Sequence, residues 1–430
     1  MRRPDVLIVG GGPAGLAAAL ELAKNSRREI LVIDRDEEAG GLPRYCGHPG
    51  FGWEYTGLFH HTGRRFAAFM VNKIAGRPNI RLMTRTTLLE LAEGPRAVLL
   101  NPEQGLFECR PQALLLATGI REAPRAPRML GGNRPPHAFL NTGHLQGWLT
   151  RDLPRKLPGQ AAGAPDRAVI LGTEWVSFSA WLSALRLGLT VTAFVETESR
   201  VQAPAVFGWG LANLLRVPVH TGAVIESVEG SPRALAGLWI RAASGLKRFL
   251  PCSRLIMTGC WRGDAAVAES AGLAVNPVTR CLAVDQFFRC DMDGVWAVGN
   301  VIQPLLDSGR SARLGRQAGA TLARSLTSPL PEASVRLTAG AGVLSVSPAR
   351  LADGKGPPKT GLAKLHLRAA GDLAGARLSI RAGDDIVWER HLGAVKASDN
   401  IFVPLKDLSP RLSGLTEAEA RLIEERKSGA

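Results

Sequence analysis

Cysteine is scarce and scattered. The chain has six, Cys46, Cys109, Cys252, Cys260, Cys281 and Cys290, and none stands in a CxxC or CxxxxC pair. That spacing argues against a disulfide scaffold, a zinc ribbon, an iron–sulfur cluster and a closely spaced redox dithiol. Long apolar runs are also missing; a stretch such as Ala14–Leu20 is far too short to span a bilayer, so no integral membrane segment is expected and only peripheral association is left open. Met1-Arg2-Arg3-Pro4 precedes the first strand in place of an apolar leader with a cleavage site, so the expected compartment is the cytoplasm. There is no GxSxG elbow and no Walker A motif. His60 and His61 have no Cys, Asp or Glu at ligand spacing beside them, so no metal site is expected.

What is abundant is arginine and glycine. The formal net charge is +15, carried mainly by scattered arginines with no dense block. Such a surface reads as solvated and attractive to acidic substrates or headgroups, and not as a nucleic-acid interface. Forty-eight glycines suit a fold with many tight turns and close backbone approaches.

The first strong motif is local. Asp5-Val-Leu-Ile-Val9 reads as a buried strand, Gly10-Gly-Gly-Pro-Ala-Gly15 as a turn, and Leu16–Leu22 as a helix. This is GxGxxG in its required setting. Gly10 permits the turn, Gly12 lets backbone approach a pyrophosphate, and Gly15 lets the helix pack on the strand. Pro13 suits the first helical turn, and with Ala14 it leaves amides and the positive helix end facing an anion. The next strand, Ile30–Ile33, ends at Asp34, placed to accept ribose hydroxyls, with Arg35 beside it.

The pattern recurs. Arg167–Gly172 opens a second strand-turn-helix, and a later strand ends at Glu196; Gly172 to Glu196 spans 24 positions, as Gly10 to Asp34 does. Here Thr173, Glu174, Trp175 and Ser177 replace Gly11, Gly12, Pro13 and Gly15. Glu174 brings bulk and negative charge to the place where a pyrophosphate would approach. The Rossmann scaffold is expected to persist while the ordinary NAD(P) site is lost or altered, although Glu196 keeps a position that suits a ribose.

Gly40-Gly41, Leu114–Gly119 with Thr118, and Gly294–Asn300 join the first motif. Together they resemble the FAD fingerprints of the pyridine nucleotide-disulfide reductase superfamily. Over about residues 1–328, the phrases from Gly40 to Pro49, Ala117 to Arg125, Asn141 to Gln146 and Glu174 to Ser179 resemble flavoprotein subunits related to those of hydrogen cyanide synthase, opine oxidase, sarcosine oxidase and glycerol-3-phosphate-oxidising enzymes. The resemblance implies an α/β fold with two Rossmann-like domains and bound FAD. It places Gly10, Gly12, Pro13, Ala14, Gly15, Asp34, Arg35, Gly41, Leu42, Arg44, Thr118, Gly119, Gly299 and Asn300 around the cofactor. Asn300 stands where the family has an Asp that contacts the ribityl chain. In the segment beside the isoalloxazine, the single Cys46 excludes dithiol chemistry, His48 is the candidate proton carrier, and Arg44 is a candidate partner for a reduced flavin or a substrate carboxylate.

The expected organisation is an FAD domain from 1–125 and 276–328, an inserted NAD(P)-type domain over 130–275, and a β-rich region over 332–430. Alternating segments such as Leu365–Arg368 and Ile386–Arg390 suggest a small antiparallel sandwich, and Glu417–Lys427 a charged helical tail. The expected function is dehydrogenation of a small amino, imino or hydroxy compound, with electrons passing to a partner subunit, a quinone or oxygen; homo-oligomerisation is left open. The alternatives are an NAD(P)H-dependent flavin reductase and an FAD-stabilised assembly subunit.

Overall fold

The structure, a computed structural model, describes residues 2–24, 27–57, 61–150, 157–158, 166–203, 217–352, 361–397 and 399–425. His60 and the expected loop 353–359 lie outside the described residues. Packing divides the chain into two units, Met1–Arg121 with Arg262–Ala430, and Glu122–Trp261. Residues 262–275, expected in the inserted domain, therefore pack with the first unit. The reason is local bonding and burial: the Asp264 amide donates to the Gly119 carbonyl at 2.9 Å, and Ala268 and Leu273 enter the first unit's core.

The first unit is built on a five-stranded parallel sheet in the order Val295–Ala297, Ala113–Leu116, Val6–Val9, Ile30–Ile33, Ile80–Met83. The runs VLIV, ILVI and ALLL do not alternate because all of their residues are buried, as covered parallel strands require. The helix Pro13–Leu22 follows the first strand, and the long helix Ser308–Ser325 packs along it. Small residues make that packing close: a Cβ on Gly319 would come within 2.6 Å of the Ala18 carbonyl oxygen. The long helix begins where the Asp307 carboxylate accepts the Arg310 amide at 2.9 Å. An antiparallel trio, Thr87–Ala92, Arg96–Asn101 and Gly105–Cys109, is inserted before the strand Ala113–Leu116.

The second unit repeats this plan. Its parallel sheet runs Phe139–Asn141, Arg254–Met257, Arg167–Leu171, Thr190–Val195, Val219–His220. An antiparallel trio, Ala223–Gly230, Leu235–Ala242 and Lys247–Pro251, again precedes the strand beside the central one. One edge differs in connectivity: the strand Val295–Ala297 comes last in chain order within the first unit's parallel sheet, whereas its counterpart Phe139–Asn141 comes first in the second unit's sheet.

The C-terminal region forms two sheets. One has the order Arg350–Leu351, Val335–Ala339, Glu417–Glu424, Ala376–Ala382, Asp385–Leu392; the other joins Val343–Ser347, Lys364–Ala369 and Asn400–Pro404. The region shares one buried apolar cluster with the first parallel sheet, so it is fused to the first unit and not tethered. The Ala349 amide donates to Val284, and Arg289 donates to Asp285 and to the Pro331 carbonyl. The helical tail expected over Glu417–Lys427 is corrected: Glu417–Glu424 is an inner strand, parallel to Val335–Ala339 and antiparallel to Ala376–Ala382. Ala418, Ala420 and Leu422 are buried at every second position, so pairing on both sides overrides the helix preference of Glu, Ala and Arg. That parallel pair also departs from an all-antiparallel sandwich.

Among the described residues no helix is long and apolar enough to cross a membrane, and no group of three or more His, Cys, Asp or Glu is placed to hold a metal ion. None of the six cysteines is in a disulfide, and Cys260 is the exposed one.

Candidate functional site

The first glycine turn is shaped by contacts that exclude side chains. Gly10 has φ +111°, and a Cβ there would overlap the Ala117 carbonyl. A Cβ on Gly15 would overlap the carbonyl oxygen of Gly10, so helix and turn meet backbone to backbone. At Gly12, the N-cap of the helix, a Cβ would meet nothing nearer than the Gly41 Cα at 3.8 Å. The cradle is thus open at Gly12. Gly41 walls it so tightly that a Cβ there would lie 2.9 Å from Gly12 and 3.4 Å from Pro13 Cδ. No acidic side chain stands in the first helical turn. Open backbone at a helix N-terminus, with no acidic side chain in the first turn, is what a pyrophosphate needs, so these residues fit a dinucleotide such as FAD.

Asp34 sits beside this cradle. Its Oδ2 accepts the Gly11 amide at 2.8 Å and its Oδ1 accepts the Asp36 amide at 2.9 Å. Burial pushes its carboxyl above the ordinary carboxylate value, and the two amides pull it back. Arg35 pairs with Asp264 at 3.1 Å. Thr118 donates from Oγ1 to the Asp264 carbonyl at 2.7 Å, and Gly119 has φ +79°. Gly299 returns from far along the chain: a Cβ on it would lie 2.7 Å from that of Ala14. Gly10, Gly12, Pro13, Ala14, Gly15, Asp34, Gly41 and Gly299 therefore meet around one helix end.

Two expected contacts take other partners. The Arg44 guanidinium, expected to face flavin or substrate, is bound to Asp36 at 2.9 Å and to the Tyr45 hydroxyl, with Glu38 at 3.5 Å. Tyr45 also donates to Asp36 at 2.8 Å, so the cation is committed to its own turn, Leu42–Tyr45. Leu42, at the start of that turn, is exposed. Asn300 does not offer its amide outward: Oδ1 accepts the Leu306 amide at 2.7 Å, while Nδ2 donates to the Leu306 carbonyl at 3.1 Å and the Ser311 hydroxyl at 3.4 Å. An Asp could not donate those last two bonds, so Asn here acts as a clamp on the loop after Gly299. His48 lies in the following loop, with Nδ1 3.1 Å from the Pro49 carbonyl and its ring 5.1 Å from that of Phe51. The carbonyl makes Nδ1 the protonated nitrogen. Cys46 is buried, with Sγ 3.7 Å from the Leu42 carbonyl.

The second turn has the same backbone and different contents. Gly172 has φ +109°, and Glu174, the N-cap of Trp175–Arg186, has φ −72° and ψ 171°, close to the −81° and −176° of Gly12. Glu174 Oε2 accepts the Trp261 indole N–H at 2.8 Å. Ser177, fully buried, bonds Thr258 at 2.6 Å. Sequence reasoning passed over Glu122 and Arg128. Glu122 Oε2 accepts the Gly143 amide at 3.1 Å, Oε1 has no partner, and burial pushes the carboxyl up to about 7. Arg128 donates to the carbonyls of Ala123, Thr258 and Gly259.

A family model described as pyridine nucleotide-disulphide oxidoreductase matches residues 4–319. The chain belongs to that family. It is an FAD-dependent oxidoreductase. Ferredoxin–NADP reductase from Saccharopolyspora erythraea is 25% identical over 301 residues, which cover 69% of this chain and 84% of that protein. Sarcosine oxidase subunit alpha from a Corynebacterium species is 26% identical over 241 residues, 53% of this chain but 22% of that subunit. Among solved structures, T. acidophilum thioredoxin reductase superposes with a TM-score of 0.59 at 16% identity, covering 76% of this chain and all of that one. That last likeness speaks to fold alone.

Proposed function

We propose that the first unit holds FAD at Gly10, Gly12, Pro13, Ala14, Gly15, Asp34, Gly41, Thr118, Gly119 and Gly299, and that the chain is the flavoprotein component of a dehydrogenase or oxidase acting on a small amino, imino or hydroxy compound. Electrons leave to a partner subunit or a quinone, and pyridine nucleotide is neither donor nor acceptor. The observation that carries this reading is the contrast between the open Gly12 and Glu174, whose carboxylate reaches from the equivalent position to Trp261. Bound FAD supplies a centre that takes up a hydride equivalent from substrate. The chain's own residues position it: the Gly12–Gly41 wall receives the pyrophosphate, and Asp34, its charge directed by two amides, receives the ribose. His48 is the group to receive a substrate proton in that loop, and Arg44 shapes the loop through Asp36. Similarity to sarcosine oxidase subunit alpha supports a multi-subunit setting.

A second reading, an NAD(P)H-dependent flavin reductase, is favoured by the longer match to ferredoxin–NADP reductase. Anaerobic stopped-flow mixing separates the two. Sub-millimolar NADH or NADPH is expected to leave flavin absorbance unchanged on the timescale of ordinary turnover, whereas bleaching at about 10 per second would establish the second reading.

A further inference from the structure

The acid at the end of the second strand holds the turn in both units, but not by the same group. Asp34 uses one oxygen for the amide two residues on and the other for the Gly11 amide. Glu196 likewise accepts the amide two residues on, from Glu198 at 3.0 Å. Its other oxygen, Oε2, takes the hydroxyl of Thr173 at 2.5 Å, across the same 23-residue interval that separates Gly11 from Asp34. Thr173 is fully buried and Glu196 is 5% exposed. The Gln202 amide donates to Thr173 Oγ1 at 3.0 Å and the Ala203 amide to the Thr173 carbonyl at 2.9 Å. The strap 202–203 therefore lies on the residue that touches the acid.

The phosphate half is closed independently. The first unit has the loop Ala117–Gly119 after its strand Ala113–Leu116; the second has Thr258–Cys260 after Arg254–Met257, with Cys260 at φ +52° where Gly119 has +79°. Glu174 makes no side-chain cap on its own helix. Its carboxylate instead crosses to this loop, bonding Trp261 and lying 3.0 Å from where a Gly259 Cβ would be.

We infer that the second unit carries its own stand-in for a dinucleotide: the Thr173 hydroxyl takes the position of a ribose hydroxyl on Glu196, sealed by Gln202–Ala203, and the Glu174 carboxylate bridges the cleft mouth where a pyrophosphate would lie. The inference rests on the reading that pyridine nucleotide is not this enzyme's electron source, and it names the two residues that exclude it. Excluding groups raise specificity by occupying the site of the unwanted ligand.

The test uses the full FAD-loaded chain, with NADH and ADP-ribose as probes by titration calorimetry. The wild type and Thr173→Ser, which keeps the hydroxyl, are expected to bind neither probe. Thr173→Gly with Glu174→Gly is expected to bind both, at least about tenfold more tightly than Glu174→Gly alone, because a free carboxylate regains a charge-assisted bond to ribose. Equal affinity in the single Glu174→Gly and the double variant, or no binding in a double variant that retains FAD and its circular dichroism, would overturn the inference while leaving the proposed function standing. Flavin bleaching of the wild type by NADH would instead sink the proposed function. A measurement on the unmodified protein covers a double variant that does not fold. The Gln202 and Ala203 amides are expected to exchange with deuterium at least about 100-fold more slowly than unprotected amides. Exchange at the unprotected rate would show an open cleft and overturn the inference.

Discussion

The two Rossmann units share four of five strand positions, a glycine turn of nearly equal φ, and an acid that accepts the amide two residues on, yet Gly12 stands open in one where Glu174 stands in the other. The same turn backbone therefore accepts either an open glycine or a carboxylate-bearing residue at the helix tip. Glu174 adopts nearly the φ and ψ of Gly12, so the second unit keeps its turn while carrying a carboxylate residue where the first has an open glycine. Strand pairing and helix packing hold the scaffold, and these do not depend on what stands at the helix tip.

The sharpest way to break that comparison is to exchange contents. Gly15→Ser gives the first turn the residue of the second. Its Cβ would meet the Gly10 carbonyl, so we expect a loss of about 3 kcal/mol or more and protein that purifies without FAD. Ser177→Gly, the reverse change, is expected to be mild. Yellow Gly15→Ser protein of parental melting temperature would show that the two turns are interchangeable.

The units also differ in how they hold buried acid. Both Asp34 oxygens have amide partners; Glu122 in the second unit has one oxygen with none. Because burial raises the Glu122 carboxyl to about 7 from its ordinary 4.5, the folded chain keeps a proton that the unfolded chain has released between those values. Stability then falls as pH rises through that window, by about 3 kcal/mol, and levels off above it. Glu122→Gln should remove this slope and raise the melting temperature at pH 8 relative to the parent, while the two converge near pH 4. Parallel melting curves for parent and variant from pH 4 to 8 would rule out the buried acid as their source.

The smallest expected effect lies in the first unit. Asn300→Asp removes the donor to the Leu306 carbonyl and Ser311 while keeping the acceptor for the Leu306 amide. A cost of about 1 kcal/mol follows, seen as a melting temperature lower by roughly 2–4 °C with FAD content retained. A variant that melts with the parent but loses FAD would show that Asn300 serves the cofactor and not its loop.

Much of this was legible in the sequence for a simple reason. Gly10, Gly12, Gly15 and Asp34 act through chain neighbours and one strand pair, so spacing alone identifies them, and the second unit's loss of glycine is visible at Glu174. Other features hid because their partners lie elsewhere. Arg44 reads as a free cation until folding brings it to Asp36. Thr173 reads as a lost glycine until it reaches Glu196, although the shared 23-residue interval was available as a signal. The tail at Glu417 reads as helix because its residues prefer helix when isolated.

The sequence by itself determined the two strand-turn-helix units, the open helix tip in the first and the occupied one in the second, because those are properties of adjacent residues. Tertiary structure alone decided what each polar group does: that Arg44 and Asn300 serve their own loops, that Glu122 is buried with an oxygen unpaired, and that Glu417–Glu424 is an inner strand. A hydrogen bond or a buried surface is fixed by which groups fold into reach of each other, and residue spacing alone does not name those groups.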